Sequence, residues 1–598
     1  MNVTSSRAKP NFFKLLGLAV GGLTFLLMAW LVLTHYFTQP DSLNQTKDLA
    51  MDSRENWFSW RWTALLFLAI VTGIVGVRLA SGAKRTGTEA AAPKSAAVPE
   101  KQDKREYVLE VIGLGVTLDK YRQGKLWEAL QGGNPHASIR EQDPNKYPWS
   151  ALDKAGMGGG RGGDTLENGA QYTPMYYGVP VLNAEPPVYR ERLIDRPDNP
   201  NAGLANGAVA SGMAWHLFVV GPRRFAERPD RILDDVFAFF DAHPDVPYLV
   251  LNSDDGMGLR DNFRASGTPG LIKDGRYVPE MPDASALFVL ARRERVDPLR
   301  PYAWDDPDNE FVQNIFRWMY GELMSELPYP DRDPEKKITR TPAQVGADPV
   351  RHEGAGGERQ PLVNQWLEAA AAFAQRPDIR GTGVSGTLSH INPFAHYPPK
   401  EWKPTPWFPI PWNRAQLETF DKLPTLGFIH RPTFVKLTDE HGKPLTRAAD
   451  RQKALQAGWQ AALQTLPETE RSKAPARIVA ATGGSTDRLI ALHSTMNAMA
   501  ASNGPEIDSG KSSHFIDTDK RLGNTGAATL FVQMAIGVMG SYRDGGVSAA
   551  VNLRDESEAS IVLISPPSDE KRKTQRHPNG GDVFAHHGTP AVDPANYR

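Results

Sequence analysis

The stretch from Trp215 to Gly256, WHLFVVGPRRFAERPDRILDDVFAFFDAHPDVPYLVLNSDDG, decides the fold class. Its first part, WHLFVVG, is a short apolar run bounded by glycine and proline, the pattern of a buried strand. The middle places Ile232, Leu233, Val236, Phe237 and Phe240 at helical spacing, so one face of a helix is apolar. The last part, PYLVLNSDDG, reads as a second strand ending in an Asp-Gly turn. Strand, helix, strand is the signature of an α/β unit with a parallel pair.

Upstream, YVLEVIGLGVTL from Tyr107 predicts a buried strand and KLWEALQ a short helix. Between Gly132 and Pro187 the chain is rich in Gly, Pro and aromatic residues and includes GMGGGRGG, so long loops are expected there. FVQNIFRWMYGELMSEL, from Phe311 to Leu327, closes a first α/β half over 106–327 as an amphipathic helix. Residues 328–415 are a proline-rich connector holding one helix, PLVNQWLEAAAAFAQ. A second half follows over 416–567. Within it TFVKLTD and ARIVAATG predict strands, and RQKALQAGWQAALQTL and TDRLIALHSTMNAMAAS predict helices. GAATLFVQMAIGVMGSY predicts a small-residue helix, and VSAAVNLR with SIVLISPP a closing hairpin. Residues 568–598 are polar and expected to be loose.

The first eighty residues differ in kind. Leu15 to Leu33, LLGLAVGGLTFLLMAWLVL, carries no charge and is long enough for the ~20 residues a bilayer core requires. A second uncharged run, Trp62 to Val77, supplies about 24 Å of helix and spans if Arg61 and Arg78 snorkel. Trp57, Trp60 and Trp62 stand where an interfacial aromatic belt would be. A cleaved signal peptide fits less well: the run is long, THYFTQ offers no small-residue cleavage pattern, and a second apolar run follows. Residues 1–80 therefore predict a transmembrane hairpin, with residues 12–80 in or at the membrane. Cations at Arg7, Lys9 and Lys14 and at Arg78, Lys84, Arg85 and Lys94 put both ends on the cytoplasmic side. Residues 81–105, of Ala, Pro and charged residues, read as a flexible linker.

Composition narrows the function. The net charge of −1 over 598 residues supplies no basic field, so no nucleic-acid partner is expected. With no cysteine there is no disulfide, thiolate metal site or cysteine nucleophile. Gly158, Gly160 and Gly163 match GxGxxG, but the flanks supply neither the strand before it nor the helix after it, so the reading is a flexible glycine loop. SGKSS at Ser509–Ser513 lacks the glycine spacing of a phosphate loop. GGSTD at Gly483 lacks the last glycine of a nucleophile elbow, so Ser485 or Thr486 is read as a helix N-cap. Asp254 and Asp255 read as a turn, and His586 and His587 as residues of the loose tail. No catalytic, cofactor-binding or metal-binding residue is assigned.

Two resemblances bear on function. DKRLGNTGAATLFVQMAIGVMG, Asp519 to Gly540, resembles the stretch of thiolase-like condensing enzymes in which a Lys precedes Gly-His and a small-residue helix. Lys520 matches in type one residue short of the spacing, Asn524 stands where the catalytic His would be, and the nucleophilic cysteine is missing. That resemblance implies a thiolase-like fold without its chemistry. LGFIHRPTFVKLTDEHGKPLTRAADRQKALQAGWQAALQTLPETERSKAPARIVAATGG, with WHLFVVGPRRF and DVPYLVLNSDDG upstream, resembles the proteobacterial type VI secretion lipase adaptors. This resemblance implies a non-catalytic adaptor, and the hairpin with its cation bias adds the expectation of a bacterial inner-membrane protein whose α/β region is cytoplasmic. Its partners would be a phospholipase effector and a VgrG-like spike protein. The alternative is an enzyme of thiolase-like or hydrolase architecture with Ser or Asp chemistry. For the partner contact, Trp402, Trp407, Phe408 and Trp412 in YPPKEWKPTPWFPIPW are the candidates, because aromatic rings on a proline-stiffened segment make good anchors. The other reading of the same rings is a clamp that packs the two halves of this chain together.

Overall fold

The computed structural model describes residues 107–305 and 401–587, apart from the short stretches 175–178, 187–216, 220–223, 226–227, 263, 265–266 and 409–410, together with residue 372. The expected membrane hairpin, the linker and the helices expected at 311–327 and 361–375 lie outside these residues, residue 372 apart. Among the described residues no helix is long and apolar enough to cross a membrane.

The first half contributes β1 (Leu109–Leu118), α1 (Gly124–Gln131), α2 (Ala151–Ala170), β2 (Val179–Glu185), β3 (Leu217–Val219), α3 (Ile232–Ala242), β4 (Tyr248–Asp255) and β5 (Ala284–Ala291). After α4 (Arg414–Lys422) come β6 (Gly427–Ile429), β7 (Thr433–Lys436), α5 (Ala448–Leu463), β8 (Arg477–Ala481), α6 (Thr486–Ala501) and β9 (Phe515–Asp517). The second half ends with α7 (Thr529–Asp544), β10 (Ser548–Asn552), β11 (Glu558–Ser565) and α8 (Asp569–Thr574).

All the numbered strands belong to one mixed sheet in the order β9-β8-β10-β11-β6-β1-β5-β4-β2-β3, with β7 alongside β11. With β6 and β7, both paired with β11, counted as one broken strand, each side runs outward from the β6·β1 junction through its first, fifth, fourth, second and third strand. The directions match as well: antiparallel between first, fifth and fourth, parallel from the fourth outward. The junction is itself antiparallel, with Leu109 opposite Ile429 and Val111 opposite Gly427. The chain is thus two copies of one topology related across β1 and β6. The expected closing hairpin is β10–β11, with Val551 opposite Ile561.

Burial explains which segments became which elements. On α3 the buried residues are the predicted Ile232, Leu233, Val236, Phe237 and Phe240. Helix α7 is enclosed from Thr529 to Tyr542 without a break, and its apolar and small side chains share one core with β1, β4, β5 and α3. A second core lies under α5 and α6 on the outer face of the second half, around Trp459, Leu492 and Ile561.

Three expectations are corrected. First, GMGGGRGG is no loop but lies within the 20-residue helix α2, opened by a capping box between Ser150 and Asp153. Tertiary contact overrides glycine's poor helix propensity here. A Cβ at Gly115 would lie 1.9 Å from the Thr165 carbonyl oxygen, and one at Gly169 would lie 2.9 Å from the Gly115 nitrogen, so helix and strand approach backbone to backbone. Second, β3 and β4 are parallel but not neighbours, because β2 lies between them and pairs with both. Third, residues 568–587 are not loose: α8 forms, and Val583 and Phe584 are buried. The Phe584 ring packs edge-on against Tyr542 of α7, which is what holds this segment down.

Candidate functional site

The four aromatic candidates are internal. Trp402, Trp407, Phe408 and Trp412 are all buried, Trp412 at 1% exposure. Trp407 Nε1 donates to His243 Nδ1 at 3.2 Å, and its ring meets Phe239 edge-on, covering the C-terminal end of α3. Trp412 packs on Tyr248 of β4 and Phe420 of α4. Trp407 and Trp412 thus join α3 and β4 of the first half to α4, at the start of the second, in line with the clamp reading.

Two of the other residues singled out in the sequence, Asp255 and Asn524, lie near the carboxyl ends of β4 and β10, where the two halves meet. Strand ends of this kind are where open α/β sheets bind ligands. Asp255 closes β4 and is completely buried. Its Oδ1 accepts from Gly256 N and Arg260 Nε, both at 2.7 Å. Its Oδ2 accepts from Arg260 Nη2 at 2.7 Å and, across the seam, from Ala527 N at 2.6 Å. The Arg260 guanidinium is held firmly charged by these bonds, against the opposing effect of burial. Gly526 makes the fit possible: its φ is +54°, and a Cβ there would fall 1.9 Å from Asp255 Oδ2. The Asp-Gly pair is therefore more than a turn; it fastens the first half to the start of the helical segment leading into α7.

Asn524 lies at the mouth of a cleft of about 240 Å³ that Arg228, Arg260, Asn552, Arg554 and Asp555 also line. Its Oδ1 accepts from Gly526 N at 3.0 Å and from Arg554 Nη2 at 2.5 Å. Arg554 Nη1 donates to Thr529 Oγ1 at 2.7 Å. Burial works against the charged form of Arg554, with Asp519 and Asp255 favouring it from a distance. Asp519 Oδ2 accepts from the Thr482 and Gly483 amides at 2.5 and 2.8 Å, and so braces the glycine turn after β8.

The remaining candidates are apart from this cleft. Lys520 is exposed, with Nζ 3.8 Å from Asp517. Ser485 Oγ accepts from Arg488 N at 3.5 Å, the capping role read from the sequence. In SGKSS, Lys511 pairs with Asp508 at 3.3 Å. His587 stacks on His577 at 4.0 Å, and its amide donates to Asn168 Oδ1 at 2.8 Å. A larger hollow of about 730 Å³ lies between α5 and α6, but its lining carries Lys453 and Arg471 and no Asp, Glu or His, so it brings together no acid–base pair. Sequence reasoning missed Arg260, Asn552 and Arg554. The available signal was VNLRD, a strand ending in Asn and Arg opposite the strand that ends in Asp-Asp.

Comparison with known proteins adds two findings. Solved structures similar to this chain include an oxazolomycin ketosynthase domain of Streptomyces albus, at 9% identity over 81% of this chain and 100% of that one, TM-score 0.36. The ishigamide ketosynthase/chain length factor matches at 10% identity over 77% and 100%, TM-score 0.36. A ketosynthase from module 1 of the bacillaene synthase of Bacillus amyloliquefaciens matches at 8% over 77% and 76%, TM-score 0.33. Residues 107–274 match the family model of the N-terminal part of type VI lipase adapter protein Tla3, and residues 426–566 match that of its C-terminal part. The two matches fall on the two halves of the sheet and together cover just over half of the chain, which therefore belongs to the Tla3 family of type VI lipase adapter proteins.

Proposed function

We propose that this protein is a non-catalytic adaptor that holds a phospholipase effector in the cytoplasm and loads it onto the type VI secretion spike. In this reading the hairpin at residues 1–80 anchors it in the inner membrane and leaves the α/β region cytoplasmic. Family membership supports the lipase as partner. The observation that carries the non-catalytic part is the state of Asp255. At the strand ends, where a general base would be placed, both of its oxygens are saturated by Arg260 and two backbone amides. A carboxylate so held has no lone pair directed at a substrate and no room to move.

The test is recovery of the full chain from its native cells under mild detergent, with identification of what accompanies it. A co-purifying lipase is the expected result. Recovery without any lipase, together with hydrolysis of an acyl ester by the purified chain, would replace the adaptor with an enzyme. Reporter fusions after Arg598 test the topology separately: a reporter active only in the cytoplasm should function, and one active only outside should not.

A further inference from the structure

We propose that the seam cleft is a binding site for one oxyanion, a carboxylate or phosphate group, received by Arg554 together with Asn524 and Asn552. The inference does not depend on the lipase reading. It begins with the charges of the wall. Arg228 is matched by Asp230 and Glu558, and Arg260 by Asp255. Asp555 has its Oδ1 engaged by the Ser557 amide and hydroxyl and by the Glu558 amide. Arg554 is different. Its guanidinium donates to a threonine hydroxyl and an asparagine oxygen, and among the described residues no carboxylate lies within ion-pair distance of it. Two of its five N–H donors are used in this way, so three remain.

The two asparagines add donors of the same sign. Asn524 Oδ1 is taken by Gly526 N and Arg554 Nη2, and Asn552 Oδ1 accepts from Arg554 N at 3.1 Å. Those bonds fix which end of each amide is oxygen. Both residues line the same cleft, and the bonds of their side chains are made at Oδ1, with no partner for either Nδ2 among the described residues. One guanidinium and two amide NH₂ groups thus surround a space with donors, and an acceptor-rich guest satisfies them. A half-buried guanidinium without an anion is costly, and charge-assisted hydrogen bonds to an oxyanion remove that cost. The volume of about 240 Å³ is below that of pockets for drug-sized ligands and suits a single small anion or one acidic side chain.

Malonate, inorganic phosphate and an acetylated tetraglutamate amide, each titrated into the full chain at constant ionic strength, test the site by calorimetry and thermal unfolding. The expected result is saturable binding of at least one of the three, weakened tenfold or more in Arg554→Gln and unchanged in Lys520→Ala, whose exposed cation is not part of the cleft lining. Saturation by malonate or phosphate alone identifies a free anion as the source, and saturation by the peptide alone identifies an acidic polypeptide. Should Arg554→Gln fail to fold, Asn552→Asp places a carboxylate beside Arg554 and should abolish binding. No saturable response in the wild type overturns the proposal, as does undiminished binding in Arg554→Gln or Asn552→Asp.

Discussion

The two halves of the sheet share strand order and direction but are built with different local means. In the first half the innermost strand, β1, is a continuous ten residues, relieved by one irregularity between Val111 and Gly113. In the second half the same place is filled by two pieces, β6 and β7, both paired with β11 and broken at His430–Arg431–Pro432. Proline cannot donate to a ladder, so the interruption follows from Pro432. A helix crosses the first strand closely in both halves, α2 on β1 through Gly115 and Gly169 and α5 on β7 through Gly458. Past the fourth strand the chemistry diverges: β4 ends in a carboxylate locked by donors, whereas Arg554, two residues beyond the end of β10, has no carboxylate within ion-pair distance among the described residues. A repeated topology fixes where a strand ends, but not what charge stands there.

The outer coverings differ most, and the largest effect is expected there. The first half carries the aromatic strap in addition to α2, whereas the second is covered by α5 and α6. Replacing Trp412 or Trp407 by Ala should cost about 3–5 kcal/mol each in urea denaturation, since each ring is buried among other rings. A loss under 1 kcal/mol, with the lipase released, would restore the rings as a partner contact and undo this distinction between the halves.

The strand break in the second half predicts an acid-sensitive difference. His430 is buried, Nδ1–H donating to the Thr465 carbonyl at 2.8 Å, and burial holds its pKa down to about 4. The unfolded chain takes up this proton near pH 6.5, before the folded one does. Stability should therefore be level above that pH and fall as pH drops toward 4, by about 3 kcal/mol in all for this group. His577, also lowered to about 4 by burial and by the His587 imidazole, adds a slope of the same sign. The difference between wild type and His430→Gln across pH 4–7 isolates the strand break; identical slopes would remove it.

The close helix crossings give a sharper test of equivalence. An alanine Cβ at Gly115 meets backbone, the Thr165 oxygen at 1.9 Å, whereas one at Gly458 meets the Val435 side chain at 2.1 Å. Side chains yield more easily than backbone. Gly115→Ala should cost about 3 kcal/mol and Gly458→Ala about 1 kcal/mol by thermal denaturation. Equal losses would show that the two crossings are alike after all. The smallest effect is expected for Lys520→Ala, about 0.5 kcal/mol or less, because its side chain is 53% exposed and its contact with Asp517 is long.

The sequence by itself determined those features whose physics is local. The apolar stripe of Ile232–Ala242, the alternation that makes β10 and β11 a hairpin, and the Ser485 cap could be read because residues a few positions apart decide them. Family membership was legible in the same way, as runs of consecutive residues. Tertiary structure decided the rest. Nothing near GMGGGRGG reveals that Gly115 and Gly169 bring a strand and a helix into backbone contact, so local propensity favoured a loop. The rings of Trp402–Trp412 have the same composition whether they face a partner or an interior, and only the placement of α3, β4 and α4 turned them inward. Asp255 looked like a turn residue because its decisive partner, Ala527 N, lies 272 positions away. The Arg554 cleft was invisible for that reason too: its walls come from the ends of strands in both halves. Periodicity records what a residue's neighbours in sequence bury together, whereas the order of strands in a sheet, and the charges that meet at its ends, depend on pairings made across hundreds of residues.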